Sequence, residues 1–449
     1  MEEKKRVEFY GGVIGPWIPI IVMVCGMIIG TIIGGGGMTR FAIVTFFAVL
    51  IGFLLIKDKK SFGDICFSGL KNPMLSILIV AFLLAGIMGQ LLRQSGLINA
   101  LIWLVSELGL PTGFLPAIAF LTCALISTAT GTSTGSATAV APLLLPLAAE
   151  MGCDVGLVSG AIISGAIFGD NLAPISDTTI GSALTQEAEV KDVVRTRLPY
   201  SLIAGTLSLV LFILCGLRSG SSAVITYETD PSSIKALAML LLPLLMIILM
   251  KAGLDLVATL LLCNLGGMIL ALVLGCIPLG TMLDNAGPIG AGLTGMMGML
   301  LYILLLFQVL EMLNVSGAFD RLMNGLLKHC KTPRSGEFAG MLLTAVSTAA
   351  AGGSSPAIIF CGPMVRTVTK RFHIERTRGS NILDGTACGI SGLLPYGTCC
   401  MLCLQFAQGY VSDSFSFIDI IPYSFHSMFL LALFALSILT GIGRRLEQQ

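Results

Sequence analysis

Charge is what this chain has least of. Asp, Glu, Lys and Arg make up 11% of its 449 residues, where a soluble domain carries about 25%. Together with long apolar runs such as 234–250 and 254–276, that shortage excludes a large soluble α/β enzyme. Histidine is scarce too: His329, His373 and His426 are dispersed, without metal-ligand spacing. No GxxxxGK[ST] occurs, so an intrinsic P-loop ATPase is excluded. A net charge of +1 gives no electrostatic footprint for nucleic acid, and no such partner is expected. The 13 cysteines lie mostly inside apolar runs, where thiols behave as small apolar residues. Cys400-Met401-Leu402-Cys403 is a CxxC without a second pair, which points away from a metal or redox role. With no nucleophile–base or metal motif in sight, the chain reads as neither an enzyme nor a cofactor carrier. No cleavable signal is expected, because the first apolar run is too long and lacks a small-residue cleavage site.

What is present is apolar. Hydrophobic residues make up 55% of the chain and the mean hydropathy is +0.93. Many runs approach the roughly 20 residues that span a bilayer as a helix. The composition predicts an all-α polytopic membrane protein.

Polar and helix-breaking signals recur at one spacing. Ser95-Gly96 returns as Ser316-Gly317, Pro142 as Pro363 and Pro174 as Pro395, each 221 positions on. Gln90 maps onto Glu311 at the same offset, and Ser127-Thr128 onto Ser347-Thr348 one residue off it. The chain is therefore expected to hold two repeats, 1–217 and 232–449, joined by a linker over 218–231. Each repeat would contribute three scaffold spans, over 17–92 and 234–314. Each would also contribute a transport part, 97–217 or 318–443, holding an interfacial piece, a re-entrant hairpin, a broken helix and a last span. The pieces 114–126 and 137–149 are too short to span, which is the basis for the hairpin. Five crossings per repeat is an odd number and inverts the second half. With the amino end inside, 21 Lys and Arg fall on the cytoplasmic side. Only Arg40, Arg93, Arg218 and Lys235 fall outside, and Arg366 lies within a hairpin. That asymmetry predicts ten crossings with both termini cytoplasmic.

Two kinds of polar cluster interrupt the apolar runs. The hairpin tips carry hydroxyls: Ser127, Thr128, Thr130, Thr132, Ser133, Thr134 and Ser136 in the first, Ser347, Thr348, Ser354 and Ser355 in the second. Small residues can simply let helices pack closely, but seven hydroxyls within ten residues fit binding better. The second kind is Gly169-Asp170-Asn171-Leu172-Ala173-Pro174-Ile175-Ser176-Asp177-Thr178-Thr179. Ionised groups at membrane depth are costly and usually functional. Pro174 frees backbone carbonyls, which hard cations favour as they favour carboxylates. An Asp there needs a proton, a cation or a basic partner. The nearest base, Lys191, is expected at the cytoplasmic surface. That leaves H⁺ and Na⁺ as neutralisers, and their competition for one carboxylate would give exchange directly. Asp170 is the expected principal carboxylate, with Asn171, Thr132 and Ser133 as neighbouring Na⁺ ligands. Asp177 is a secondary candidate or a helix cap, and Asp384 a second ligand or an interfacial cap.

The motif Gly169-Asp170-x-x-Ala173-Pro174-Ile175-Ser176-Asp177-Thr178-Thr179 closely resembles the signature of the NhaC-type Na⁺/H⁺ antiporters of the ion transporter superfamily. Ser127-Thr128-Ala129-Thr130-Gly131-Thr132-Ser133 is similar to that family's first hairpin tip. The resemblance implies an elevator-type fold, in which a transport domain moves against a scaffold, usually in a homodimer. It implies Na⁺/H⁺ exchange across a bacterial inner membrane, with some relatives exchanging small carboxylates such as malate and lactate. The chain departs from the family at Pro395-Tyr396, where Pro-Trp is common, and at Leu383-Asp384, where an acidic pair is usual. The competing expectation keeps the fold but moves an organic anion bound by hydroxyl-rich tips and helix N-termini. A channel is disfavoured, since no selectivity-filter ring is apparent.

Overall fold

The computed structural model describes residues 7–34, 38–107, 111–174, 176–219, 231–412 and 414–446. Most of the expected linker lies outside these residues, as do Lys4, Lys5 and Arg6 of the charge count. Regular structure among the described residues is helical, with only isolated bridges such as Phe9 to Ile56. The first half runs α1 (Ile18–Gly34), α2 (Met38–Leu55), α3 (Phe62–Leu70), α4 (Pro73–Gln94), α5 (Leu97–Glu107), α6 (Leu115–Thr130), α7 (Ser133–Glu150), α8 (Val155–Leu172), α9 (Asp177–Thr185) and α10 (Val190–Ser219). The second runs α11 (Leu241–Lys251), α12 (Leu256–Val273), α13 (Leu279–Met282), α14 (Pro288–Gly295), α15 (Met297–Val315), α16 (Ala318–His329), α17 (Pro333–Ala351), α18 (Ser354–Arg371), α19 (Arg376–Ser391), α20 (Thr398–Ala407), α21 (Phe417–Ile420) and α22 (Phe425–Thr440).

Large apolar side chains face outward, including Phe46, Phe47 and Leu54 on α2, Leu207 and Leu214 on α10, and Leu261 and Leu265 on α12. A surface of this kind is stable against lipid, where helices satisfy their own backbone polar groups. Among the described residues six helices are long and apolar enough to cross, or seven if the pair 417–423 and 425–440, bent by 53°, is one span. The sequence predicts ten crossings. The shortfall falls on stretches that are shorter, 15–30 and 235–246, and on α19, whose polar residues turn into the protein rather than being replaced by apolar ones.

Helix boundaries follow the 221-residue spacing. α5 and α16 begin that far apart, at Leu97 and Ala318, as do α7 and α18, α8 and α19, and α9 and α20. The left-handed glycines match as well: Gly96 with Gly317, and Gly131 with Gly352. The hairpin arms are longer than the sequence predicts. α6 runs to Thr130 and α7 starts at Ser133, because hydroxyls expected in a loop bond back to helical carbonyls. Thr128 donates to the Ala124 carbonyl and Thr130 to that of Ile126, each at 2.8 Å, a pattern that lets hydroxyls persist in a helix. The tip shrinks to Gly131-Thr132. The second tip is Gly352-Gly353, and both first glycines have φ of 70°, a region that a side chain would strain.

The first broken helix is held against the hairpin by backbone contact. A Cβ on Gly165 would come 2.3 Å from the Phe120 carbonyl, and one on Gly169 2.5 Å from that of Ala124. Gly165 and Gly169 form a GxxxG stripe, the spacing that lets two helices approach at van der Waals range.

Candidate functional site

Each broken helix stops where proline makes helix costly. In the first, Ala173 turns extended ahead of Pro174, and the chain re-enters helix at Asp177. The cap is Ser176, whose hydroxyl accepts from the Thr178 amide at 3.2 Å. Asp177 is therefore the first helical residue and not the cap, and its carboxylate sits where the helix dipole favours negative charge. Ile175 lies outside the described residues. In the second, α19 ends at Ser391 and α20 begins at Thr398 beyond Pro395, with Gly397 as an N-cap that offers no side chain. The Tyr396 hydroxyl donates to the Ala349 carbonyl at 2.6 Å, tying this break to the last turn of α17.

Both breaks and both tips line one cavity of about 600 Å³. Its polar wall holds Thr130, Thr132, Ser133, Thr134, Asp170 and Asp177 from the first half, with Ser354, Ser355, Ser391 and Thr398 from the second. Its other wall is mainly apolar, with Ile77, Leu78 and Phe82 on α4, Leu256 and Val257 on α12, and Ile303, Leu306 and Phe307 on α15, and carries one carboxylate, Asp255, at the start of α12. The first residues of α7, α9, α12, α18 and α20 all line it, as do the C-terminal ends of α6 and α17. The cavity thus presents five helix N-termini, which favour anions, beside the carboxylates of Asp170, Asp177 and Asp255 and exposed helix C-termini, which favour cations.

The carboxylates have unlike surroundings. Asp170 is 3% exposed and accepts a 2.6 Å hydrogen bond from the Ser176 hydroxyl at Oδ1. The Ser133 hydroxyl is also within its reach, and no ion pair to it occurs among the described residues. Asp177 faces the cavity, with Ser355 in reach. Asp384 lies on the far side of the break, fully buried, in an ion pair with Arg197. It also accepts from the Asn171 amide at 3.3 Å, the Ser182 hydroxyl at 3.4 Å and the Cys388 thiol at 3.0 Å.

Arg197 is what the sequence reading missed. The apolar run of the last span begins at Pro199, which by sequence puts Arg197 at the cytoplasmic surface. In fact α10 starts at Val190 and carries Arg197 inward, with no exposed surface. The signal was available: Val193, Arg197, Ser201, Ala204 and Ser208 recur every three or four residues and form the buried face. Arg197 also donates to the Asn171 carbonyl at 2.7 Å and the Thr179 hydroxyl at 3.2 Å, through Nη1, and to the Asn381 side chain at 3.2 Å, through Nε. It thereby spans the first break and ties it to α19. Arg378 was likewise counted as cytoplasmic and is buried, paired with Glu337 at 2.9 Å.

Several expected ligands take other work. Asn171 is fully buried away from the cavity, its side-chain Oδ1 accepting from the Ser201 hydroxyl at 2.5 Å and its side-chain Nδ2 donating to Asp384. Its capacity is spent on that network. Asp384 is no interfacial cap. Ser127 donates to the Ala166 carbonyl at 2.6 Å and so joins hairpin to broken helix. Thr128 and Thr348 bond back along their own helices, and Ser347 is buried with the Cys361 thiol in reach. Asp170, Asp177, Thr130, Thr132, Ser133, Thr134, Ser354 and Ser355 are the expected residues that the cavity brings together. Cys400 and Cys403 are buried in α20 as free thiols, and no metal-holding group of His, Cys, Asp and Glu occurs among the described residues.

Apolar outer faces around a cavity of discontinuous helices define a polytopic integral membrane protein. Residues 9–217 match the model of the Na⁺/H⁺ antiporter family, so the NhaC-type resemblance carried by the Asp170–Asp177 motif holds over the first half. Similar proteins include the malate-2H⁺/Na⁺-lactate antiporter of Bacillus subtilis, 28% identical over 40% of this chain and 38% of that one. The arginine/ornithine antiporter ArcD of Halobacterium salinarum is 26% identical over 35% of this chain and 32% of its own. The Na⁺/H⁺ antiporter NhaC of B. subtilis is 24% identical over 73% of this chain and 77% of its own. The chain thus spans only about a third of the first two relatives.

Proposed function

We propose that this chain is a secondary antiporter that exchanges Na⁺ for H⁺ at Asp170 by alternating access. The observation that carries the reading is the contrast between Asp170, at the cavity wall without a basic partner, and Asp384, neutralised by Arg197. A proton and a sodium ion then exclude one another on the same carboxylate. Asp170, Ser133 and Thr132 supply oxygen of the kind that a hard cation takes, with Asp177 opposite. The two tips and two breaks would move together as a transport part against a scaffold of 17–92 and 234–314. The 221-residue recurrence supports reading the halves as inverted repeats with both termini cytoplasmic, and the hairpins as re-entrant. A homodimer joined through the scaffold, in a bacterial inner membrane, completes the proposal.

A second reading is favoured by two features of the same cavity. A volume of about 600 Å³ exceeds what a bare cation fills, and five helix N-termini suit a carboxylate. A small organic anion bound there together with Na⁺ or H⁺ would use both signs of the site, and the malate/lactate relative is consistent with it.

Proteoliposomes carrying a pH-sensitive dye separate the two. Sodium alone should collapse an imposed proton gradient. If nothing happens until malate or lactate is added, the exchanged species is the organic acid and the Na⁺/H⁺ reading fails.

A further inference from the structure

A second cleft, of about 1010 Å³, lies between α10, α19, α22 and the chain segment at 442–445. It shares no lining residue with the cavity that holds Asp170. Arg195, Arg378 and Arg445 line it, with the hydroxyls of Tyr200, Thr377 and Ser437 between them.

Arg378 gives the cleft its chemistry. The residue is 3% exposed. Its Nε pairs with Glu337 at 2.9 Å, and its Nη1 donates to Ser437 at 2.8 Å and to Tyr200 at 3.3 Å. Its Nη2 is buried and has no partner among the described residues. A guanidinium nitrogen left unbonded in the interior is costly, and Glu337 cannot be drawn over to it because Arg444 already takes its other oxygen at 2.6 Å. Asp192 and Glu375 also line the cleft, so three cations face two carboxylates, of which Asp192 is on an exposed residue and Glu375 on a half-buried one. The remaining wall is apolar: Ile203 on α10, and Leu433 and Leu436 on α22. Ile203 and Leu436 are about half exposed, at 50% and 55%, on helices that are apolar enough to cross a membrane.

We propose that this cleft binds the phosphate of an anionic phospholipid, headgroup toward Arg378, Arg195 and Arg445 and acyl chains against Ile203 and Leu436. A phosphate oxygen supplies the acceptor that Nη2 lacks, and Arg matches phosphate geometry well. Basic pockets beside membrane-spanning helices take anionic headgroups by this combination of charge and apolar wall. The lipid would bridge α10, α22 and the end of the chain.

The test uses the full chain purified in detergent. Thermal unfolding is followed on titration with phosphatidylglycerol, with phosphatidylcholine, and with inorganic phosphate. Native mass spectrometry reads the retained lipid. Phosphatidylglycerol should raise the unfolding temperature and stay bound, and the other two should do neither. Arg195→Gln with Arg445→Gln leaves the Arg378–Glu337 pair intact and should raise the half-saturating phosphatidylglycerol concentration roughly 30-fold. Arg195→Lys with Arg445→Lys should restore most of it. Equal effects of phosphatidylcholine or of free phosphate, or an unchanged titration in the Gln pair, would overturn the proposal.

Discussion

The two broken helices share a plan and differ in charge. α8 and α9 carry Asp170 and Asp177, both on the cavity. α19 and α20 carry Asp384, turned away onto Arg197, and Thr398 where Asp177 would recur 221 positions on. Helix starts at a common 221-residue spacing bring both breaks to one cavity, and side chains set which half presents carboxylates from its break to it. The second half's carboxylate is an architectural anion. It fixes Arg197, and Arg197 fixes the ends of α8 and α9 through Asn171 and Thr179. The half with the unpaired carboxylate is thus held in shape by the half with the paired one.

Removing the pair breaks the comparison most severely. Arg197→Ala leaves Asp384 buried and uncompensated, at a cost of about 3–5 kcal/mol. The expected result is a large drop in thermal stability in detergent. Arg197→Met with Asp384→Leu removes both charges and should recover most of that loss. If the double variant is no more stable than the single one, the pair is not what makes Arg197 necessary.

Ser133 and Ser354 occupy equivalent places at the starts of α7 and α18, and both line the cavity. In a background stripped of reactive thiols, including cavity-lining Cys399, Ser133→Cys and Ser354→Cys should label from the same side of the membrane. Both should change their labelling rate in the same direction when Na⁺ or pH is altered. Labelling of the two from opposite sides, or at rates that ignore both, would contradict a cavity shared by the halves that alternates between sides.

The smallest effect is expected at Asp177. As the first residue of α9 it gains about 0.3–1 kcal/mol from the helix N-terminus. Asp177→Asn should lower stability by that amount and weaken apparent Na⁺ affinity without abolishing exchange. Complete loss of exchange would make Asp177 the principal carboxylate in place of Asp170.

Much of this was legible in the sequence, because the signals were local. A proline with an upstream glycine marks a break wherever it stands, and the 221-residue offset carries the starts of α5, α7, α8 and α9 onto those of α16, α18, α19 and α20, whereas α17 begins three residues ahead of the offset from α6. Asp170, Asp177 and the tip residues Thr132, Ser133, Ser354 and Ser355 were found by the same local crowding of oxygen. What failed depended on direction and on distant partners. Asn171 adjoins Asp170 in the chain, but one helical step of about 100° turns it to the opposite side, onto Ser201 and Asp384. Asp384 finds its base 187 positions away, in a helix whose start was read nine residues late. The hairpin arms extend past the apolar pieces 114–126 and 137–149 because apolar content marks only the part of a helix that needs burial. Back-bonding to the preceding turn lets them continue here.

The central claim is that one carboxylate, Asp170, carries the exchanged ion while Asp384 does not. The direct measurement compares Asp170→Asn with wild type by Na⁺-induced dequenching of a pH-gradient dye in proteoliposomes, at matched protein incorporation. Asp170→Asn keeps size and the hydrogen bond from Ser176 but loses the titrating charge. The account predicts folded protein with no Na⁺-dependent response at any pH tested. Near-normal dequenching by Asp170→Asn would contradict it.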